Sequence, residues 1–130
     1  KGINNSLGQE LLKPHISYYK TLKPVYELVN GIAHITGGGL FENVPRILPD
    51  NVMAIFDSTT WDVQEIFNLI QNQGQVDTIE MYHVFNMGLG MVLSVNPSQT
   101  DEVLNTIPTS KIVGKVAEKS GADRVVIENI

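Results

Sequence analysis

Hydrophobic residues in this chain follow two patterns, which separate predicted strands from predicted helices. Continuous apolar runs rich in β-branched residues are typical of buried strands. They predict strands over residues 32–36, 52–56, 89–95, 112–117 and 124–127. Apolar residues that recur every three or four positions are typical of helices with one buried face. They predict helices over residues 21–29, 40–47, 62–73, 77–85 and 98–107.

Polar residues with N-cap preferences predict where most of these helices begin. The candidate N-caps are Thr21, Asp62, Asp77 and Ser98 or Thr100, and glutamates three residues after Asp62 and Asp77 give capping-box spacing. The last two predicted strands are separated by the turn-forming residues 120–123, so we expect them to form a hairpin. Strands and helices alternate before that point. The sequence therefore predicts an α+β, or layered α/β, fold with a mixed β-sheet packed with helices.

Length and composition place the chain among ordinary globular domains. It has 130 residues, of which 42% are hydrophobic and 18% charged, so one domain with a sizeable core is expected. It has no cysteine, which excludes disulfides, a thiolate nucleophile and cysteine-ligated metals, and favours a cytoplasmic location. The formal net charge is −5, and residues 31–110 carry Arg46 against nine acidic residues. Such an acidic middle region argues against nucleic-acid binding, and the apolar runs are too short to predict a membrane span.

The first ten residues have the composition of a linker, with glycine, asparagine and serine prominent. We expect order to begin near Leu11. There is neither an initiator methionine nor an apolar signal stretch at the start. These observations favour residues 1–10 as the remnant of an interdomain linker and residues 11–130 as one domain of a longer protein.

The segment from His34 to Arg46 carries the strongest chemical signal. A predicted strand leads through Thr36 into Gly37-Gly38-Gly39 and then into a predicted helix that contains Asn43. Glycines at a helix start leave backbone N–H groups that an anion can approach closely. This pattern predicts a phosphate cradle, and it is equally typical of a tight strand-to-helix turn without a ligand. It is neither a P-loop nor a dinucleotide-binding fingerprint.

Two charged or titratable side chains in that segment have two interpretations each. His34 shares a strand face with Ile32 and Thr36, so it is a candidate catalytic residue, although a structural role is the commoner one for a single histidine. Arg46 could complete an anion site through a bidentate contact. Its alternative role is that of a cation at a helix C-terminus, where the helix dipole favours it.

A second block, residues 80–91, contains Asn86, Gly88 and Gly90. Two glycines at the entrance of a predicted strand indicate that a ligand or another backbone comes close, and Asn86 could present its amide there. A bulge in the strand surrounded by core residues is the alternative. His15 and His83 have no partner at metal-ligand spacing, so the sequence predicts no metal site.

The same segments resemble the C-terminal domain of phosphoribosylformylglycinamidine cyclo-ligases, also called aminoimidazole ribonucleotide synthetases. The resemblance runs from about Leu11 to the last strand. The motifs that carry it are Leu11-Leu12-x-Pro14 with Tyr18 and Lys20, the block from Ile32 to Gly39 with Glu42-Asn43-x-Pro45-Arg46, and Glu80-Met81-Tyr82 with Phe85-Asn86-x-Gly88-x-Gly90-Met91. The glycine and Phe-Asn blocks are specific to this family within a wider ATP-binding superfamily. One departure is His15, where the family usually has threonine.

The resemblance implies a step of purine synthesis, in which ATP activates the formyl amide oxygen of formylglycinamidine ribonucleotide and the imidazole ring closes. It also implies an N-terminal domain outside this chain that forms a homodimer and holds most of the ATP and Mg²⁺ site. The chain by itself is then expected to be inactive. The site residues expected in this chain are His34 for catalysis and, for substrate or phosphate, Thr36, Gly37, Gly38, Gly39, Asn43, Arg46, Asn86 and Gly88.

Two other hypotheses stay open. The chain could be a folding and interface module whose glycine turn packs against its partner domain. It could also belong to a sister ATP-dependent enzyme of the selenophosphate synthetase or thiamine-phosphate kinase type, which the motifs at residues 43–46 and 85–90 favour less.

Overall fold

The computed structural model describes residues 6–130, and this range contains short helices, five strands and long connecting loops. The α-helices are α1 (Leu7–Leu11), α2 (Tyr19–Leu22), α3 (Gly39–Asn43), α4 (Glu65–Gly74), α5 (Thr78–Val84) and α6 (Thr100–Thr106). Short 3₁₀ helices lie at Lys23–Leu28, Val44–Ile47, Ser58–Thr60 and Pro97–Gln99. The strands are β1 (Val29–His34), β2 (Val52–Asp57), β3 (Met91–Val95), β4 (Gly114–Glu118) and β5 (Val125–Glu128). No helix within residues 6–130 has both the length and the apolar character needed to cross a bilayer.

The strands form two sheets, and the predicted terminal hairpin is wrong. β1 pairs antiparallel with β3, while β2 lies between an antiparallel β4 and a parallel β5. On one side of β2 the Ala54 N–H donates to the Arg124 carbonyl, and on the other side the Asp57 N–H donates to the Val113 carbonyl. The apolar β2 thus uses both of its edges, and β4 and β5 are separated by it. Helices combined with strands of mixed orientation confirm the predicted fold class.

The hydrophobic core has two clusters that meet at the β1–β3 sheet. One face of that sheet contributes Ala33, Ile35 and Val92 to a cluster with the β2 sheet, α3 and α5. The opposite face contributes Ile32, Leu93 and Val95 to a smaller cluster whose buried residues are Leu22, Val25, Val103 and Ile107. Helices and sheets are therefore layered, with β1 and β3 apolar on both faces.

Helix beginnings were predicted less well than helix positions. Asp77 caps α5 as expected, because its carboxylate accepts the Ile79 N–H at 2.9 Å. Asp62 does not cap α4, which begins after Gln64 without a side-chain cap, and the Asp62 carboxylate faces Lys111 instead, at 3.4 Å. Neither Ser98 nor Thr100 caps α6, which begins after Gln99 without a side-chain cap. Asn96 instead caps the preceding 3₁₀ helix, where its side chain accepts the Ser98 N–H.

The N-terminal region also differs from expectation. Ser6 and Gln9 form a reciprocal capping box on α1, so regular structure begins before Leu11. The helix predicted behind Thr21 instead starts at Tyr19, tightens to a 3₁₀ helix and gives way to β1 at Val29. Residues 1–5 of the expected linker lie outside the described residues, and the assignment of residues 1–10 to an interdomain linker stays a prediction.

Arg124 fastens the start of β5 to the loop before β2. Its guanidinium donates to the carbonyls of Val52, Leu48 and Pro49 at 2.9–3.2 Å and to the Asp50 carboxylate at 3.0 Å. The guanidinium has several N–H donors in one plane, so it can make all four of these hydrogen bonds, whereas a lysine ammonium group with three N–H donors cannot. The side chain is 22% exposed, so the bonds to the carbonyls are partly shielded from water.

We expect Arg124→Lys to lower the free energy of unfolding by about 1–2 kcal/mol, because at least two of the carbonyls lose their donor. Urea denaturation followed by Trp61 fluorescence measures this. Arg46→Lys is the matched control, since Arg46 lies 4.0 Å from Glu42 with both side chains about two-thirds exposed, and it should change stability by about 0.5 kcal/mol at most. Equal effects of the two substitutions would contradict this account of Arg124.

Candidate functional site

The turn between β1 and α3 requires glycine at two of its three glycine positions. Gly38 has φ 90° and Gly39 has φ 54°, both in the left-handed region that side chains disfavour. A Cβ on Gly39 would overlap the Tyr82 carbonyl oxygen of α5, and a Cβ on Gly38 would lie 2.5 Å from the Glu42 carboxylate. A Cβ on Gly37 would meet nothing within 4 Å. The turn therefore brings α3 and α5 into close contact and leaves Gly37 open.

The buried Asn43 side chain stabilises this turn through hydrogen bonds to its carbonyl groups. It is 4% exposed, and its amide donates to the Gly39 carbonyl at 2.8 Å and to the Gly37 carbonyl at 3.2 Å. Within residues 6–130 the backbone N–H groups of Gly37 and Gly38 have no hydrogen-bond acceptor. Carbonyl groups of the turn are thus satisfied by the protein, while two N–H groups remain available to an acceptor from outside.

The Phe-Asn block forms a second turn, between α5 and β3. The Asn86 side-chain oxygen accepts the Gly88 N–H at 3.1 Å, which is an Asx turn. Gly88 has φ 102°, and a Cβ there would lie 2.6 Å from the Asp62 carbonyl oxygen. Trp61 donates its indole N–H to the Met87 carbonyl at 3.0 Å. This turn is consequently packed against the segment that follows β2.

The two turns meet at a shallow pocket of about 250 Å³. The glycine block contributes Thr36 and Gly37, and the Phe-Asn block contributes Asn86. The remaining lining residues are apolar: Ile35, Phe67, Val84 and Phe85. An apolar wall beside free backbone N–H groups and an amide can accept a small ligand that has one anionic or strongly polar end.

Several predicted site residues lie outside this pocket. Gly38, Gly39 and Asn43 shape the turn without lining the pocket, and Gly88 shapes the neighbouring one. Arg46 is paired weakly with Glu42 at 4.0 Å, in the last turn of its 3₁₀ helix. That placement agrees with the helix-dipole interpretation of Arg46.

His34 is exposed at the end of β1, and its imidazole contacts two other rings. Its ring centre lies 5.3 Å from that of His15 and 6.1 Å from that of Tyr18. His15 and Tyr18 come from the loop between α1 and α2. No sequence pattern predicts this association, because His15 and His34 are nineteen positions apart on unrelated elements.

Two side chains have pKa values that differ from their ordinary values. Burial raises the pKa of the Tyr82 hydroxyl, and a hydrogen bond with Ser58 partly opposes that effect. Asp57 ends β2, and its pKa is lowered by hydrogen bonds from the Asn129 amide and from Thr59. These contacts fix the C-terminal residues beside β2 and involve neither turn of the pocket.

Comparison with known proteins identifies the family to which this chain belongs. Residues 1–127 match the family model described as AIR synthase related protein, C-terminal domain. The chain belongs to this family. A phosphoribosylformylglycinamidine cyclo-ligase of Geotalea daltonii is 45% identical over 123 residues, which are 90% of this chain and 35% of that protein. The cyclo-ligase of Bifidobacterium animalis subsp. lactis is 48% identical over 106 residues, 80% of this chain and 31% of that protein.

A third relative, the cyclo-ligase of Caldicellulosiruptor bescii, is 45% identical over 129 residues, which are 95% of this chain and 37% of that protein. The chain therefore spans only about a third of the length of the curated relatives it matches. The family membership confirms the resemblance read from the motifs.

The opposite roles of two asparagines give a test of the site geometry. Asn43 donates to carbonyls, so Asn43→Asp would place a carboxylate against them and should lower the free energy of unfolding by about 2–4 kcal/mol. Asn86 accepts from Gly88, so Asn86→Asp keeps an acceptor there and should change stability by about 0.5 kcal/mol or less. Thermal unfolding measured by circular dichroism distinguishes the two, and comparable losses would refute the assigned donor and acceptor roles.

Proposed function

We propose that this chain is the C-terminal part of an ATP-dependent cyclo-ligase that converts formylglycinamidine ribonucleotide to aminoimidazole ribonucleotide in purine synthesis. The observation that carries the proposal is the match to the AIR synthase-related C-terminal domain, together with relatives named phosphoribosylformylglycinamidine cyclo-ligase at 45–48% identity. The proposal includes a cytoplasmic enzyme that binds ATP and Mg²⁺ mainly through an N-terminal domain and dimerises through it.

In this proposal the pocket between the two turns holds the anionic end of the ribonucleotide. The Gly37 N–H, which belongs to the pocket lining, has no acceptor within residues 6–130, and backbone N–H groups at such a turn suit phosphate oxygens. The Gly38 N–H, next to the pocket, has no acceptor there either. Thr36 and Asn86 add a hydroxyl and an amide on either side. We assign His34, two residues before Thr36, as the candidate for proton transfer at the substrate.

A Mg²⁺ site needs more ligating side chains than residues 6–130 bring together. No group of three or more histidine, cysteine, aspartate or glutamate side chains suited to a metal occurs within residues 6–130. Mg²⁺ at phosphate-transfer sites is usually held by carboxylates and phosphate oxygens. The ATP half of the reaction is accordingly assigned to the N-terminal domain, and the chain alone should neither hydrolyse ATP nor close the ring.

The decisive experiment is ATP-dependent formation of aminoimidazole ribonucleotide by the full-length enzyme, with Gly37→Ala and Gly38→Ala variants. Gly37→Ala meets no protein atom, so it should preserve thermal stability while raising KM for the ribonucleotide, because its methyl group enters the cradle. Gly38→Ala adds backbone strain and should weaken substrate binding by about 1–3 kcal/mol.

Each outcome separates two explanations. If the enzyme is active and Gly37→Ala has the KM of the wild type, the glycine turn does not bind the phosphate, and the cyclo-ligase assignment still stands. A full-length enzyme without ring-closing activity would overturn the assignment itself. Measurable cyclisation by the isolated chain would refute the division of labour between the two domains.

A second candidate role, as an interface module, is supported by an apolar patch on α1 and the loop after it. Leu11, Leu12 and Ile16 are 66%, 82% and 65% exposed. Large apolar side chains grouped on a surface mark contact sites for other protein segments. We propose that the N-terminal domain of the same enzyme covers this patch. The interface role and the catalytic role therefore both involve that domain.

The isolated chain should therefore self-associate through this patch, which sedimentation velocity at increasing concentration measures. Leu12→Ser should shift the population toward monomer, because it removes the most exposed apolar side chain of the patch. Ile112→Ser is the matched control, since Ile112 is 61% exposed elsewhere on the surface. A wild-type chain that stays monomeric at all concentrations would contradict the role of the patch.

A further inference from the structure

The Asn43 amide sets the direction of two peptide groups in the glycine turn. Its nitrogen lies 3.2 Å from the Gly37 carbonyl oxygen and 3.5 Å from the Thr36 carbonyl oxygen. Carbonyl oxygens only accept hydrogen bonds, so the side chain must turn its N–H groups toward them. No peptide bond within residues 6–130 is cis, and in a trans peptide the C=O and N–H groups point in opposite directions. The N–H groups of Gly37 and Gly38 therefore face away from Asn43.

These are the same two N–H groups that have no acceptor within residues 6–130. The Gly37 N–H shares a peptide group with the Thr36 carbonyl, and the Gly38 N–H shares one with the Gly37 carbonyl. Gly37 lines the pocket, whereas Asn43 is 4% exposed and lies outside the pocket lining. The turn thus directs carbonyl groups at the buried amide and free N–H groups at the opposite side.

The peptide group between Gly37 and Gly38 depends on Asn43 alone. The Thr36 carbonyl also accepts the Gly39 N–H at 3.0 Å, but within residues 6–130 the Gly37 carbonyl has no donor other than Asn43. With glycine on both sides, this peptide group can rotate at little steric cost. After half a turn it would present the Gly37 carbonyl oxygen where the Gly38 N–H now lies, and that oxygen repels an anion.

We propose that Asn43 is a positioning residue for the phosphate of the ribonucleotide, an inference that rests on the proposed function. Asn43 does not contact the phosphate. It holds the Gly37 carbonyl and so keeps the Gly38 N–H, beside that of Gly37, directed at phosphate oxygens. Serine and threonine have one O–H donor on a shorter side chain, so neither can hold the Gly37 and Gly39 carbonyls together as Asn43 does.

The test compares two substrates in the full-length enzyme, formylglycinamidine ribonucleotide and the ribonucleoside that lacks its phosphate. Asn43→Ser and Asn43→Thr should each raise KM for the ribonucleotide roughly tenfold or more, because a hydrogen bond to a charged group is lost. KM for the ribonucleoside and KM for ATP should stay at the wild-type values. A merely structural role of Asn43 would not distinguish substrates by their phosphate.

Two further variants serve as controls. Arg124→Lys also removes hydrogen bonds to backbone carbonyls, but at the start of β5, so it should lower stability and leave every KM unchanged. Gly37→Ala combined with Asn43→Ser should raise KM for the ribonucleotide little beyond the larger single effect, because both changes act on the same donors. Circular dichroism checks that each variant is folded.

Binding of ribose 5-phosphate to the full-length enzyme without ATP gives a readout that needs no ring closure. Saturation-transfer NMR, with ribose as the control, should show weaker binding of the phosphate sugar by Asn43→Ser and by Gly37→Ala. If Asn43→Ser and Asn43→Thr bind it as the wild type does, raise KM for both substrates equally, or fail to fold, the positioning role is overturned. Absence of ring closure with this binding difference intact would overturn the cyclo-ligase assignment and leave the role of Asn43 standing.

Discussion

The contact between Gly39 and the Tyr82 carbonyl is the constraint on which the centre of this domain depends. Because no side chain fits there, α3 can lie directly against α5, and the two turns that follow β1 and α5 come together. The buried Asn43 amide then ties the glycine turn to its own helix. A polar clamp of this kind is stabilising only when each donor finds its carbonyl, so the turn has one geometry rather than several.

Most of the fold could be predicted because its elements are encoded locally. The apolar run at 52–56 and the Asp77 cap each depend on neighbouring residues alone, and both were found. The hairpin between β4 and β5 was predicted wrongly because strand pairing is not a local property. The turn at 120–123 permits a hairpin, and the competing pairing of both strands with the apolar β2 prevails.

The candidate site likewise has one part that the sequence predicts and another that depends on tertiary packing. Consecutive glycines at the end of a predicted strand indicated the turn, because backbone positions with positive φ favour glycine. The pocket joins Gly37 to Asn86 across nearly fifty positions, and only the packing of α3 on α5 brings them together. His15 was missed for the same reason: an isolated histidine in a loop has no pattern until the chain places another ring beside it.

The seating of Tyr18 against Gly90 has a consequence for how this domain can vary. The phenol hydroxyl occupies the space that a side chain at position 90 would need, although the two residues are 72 positions apart. A larger residue at position 90 is therefore compatible with the fold only when position 18 becomes shorter at the same time. Single enlargements at position 90 should therefore be rare among working sequences, and enlargements paired with a shorter residue at position 18 less so. A library that randomises both positions together would contain folded variants that a library of position 90 alone excludes.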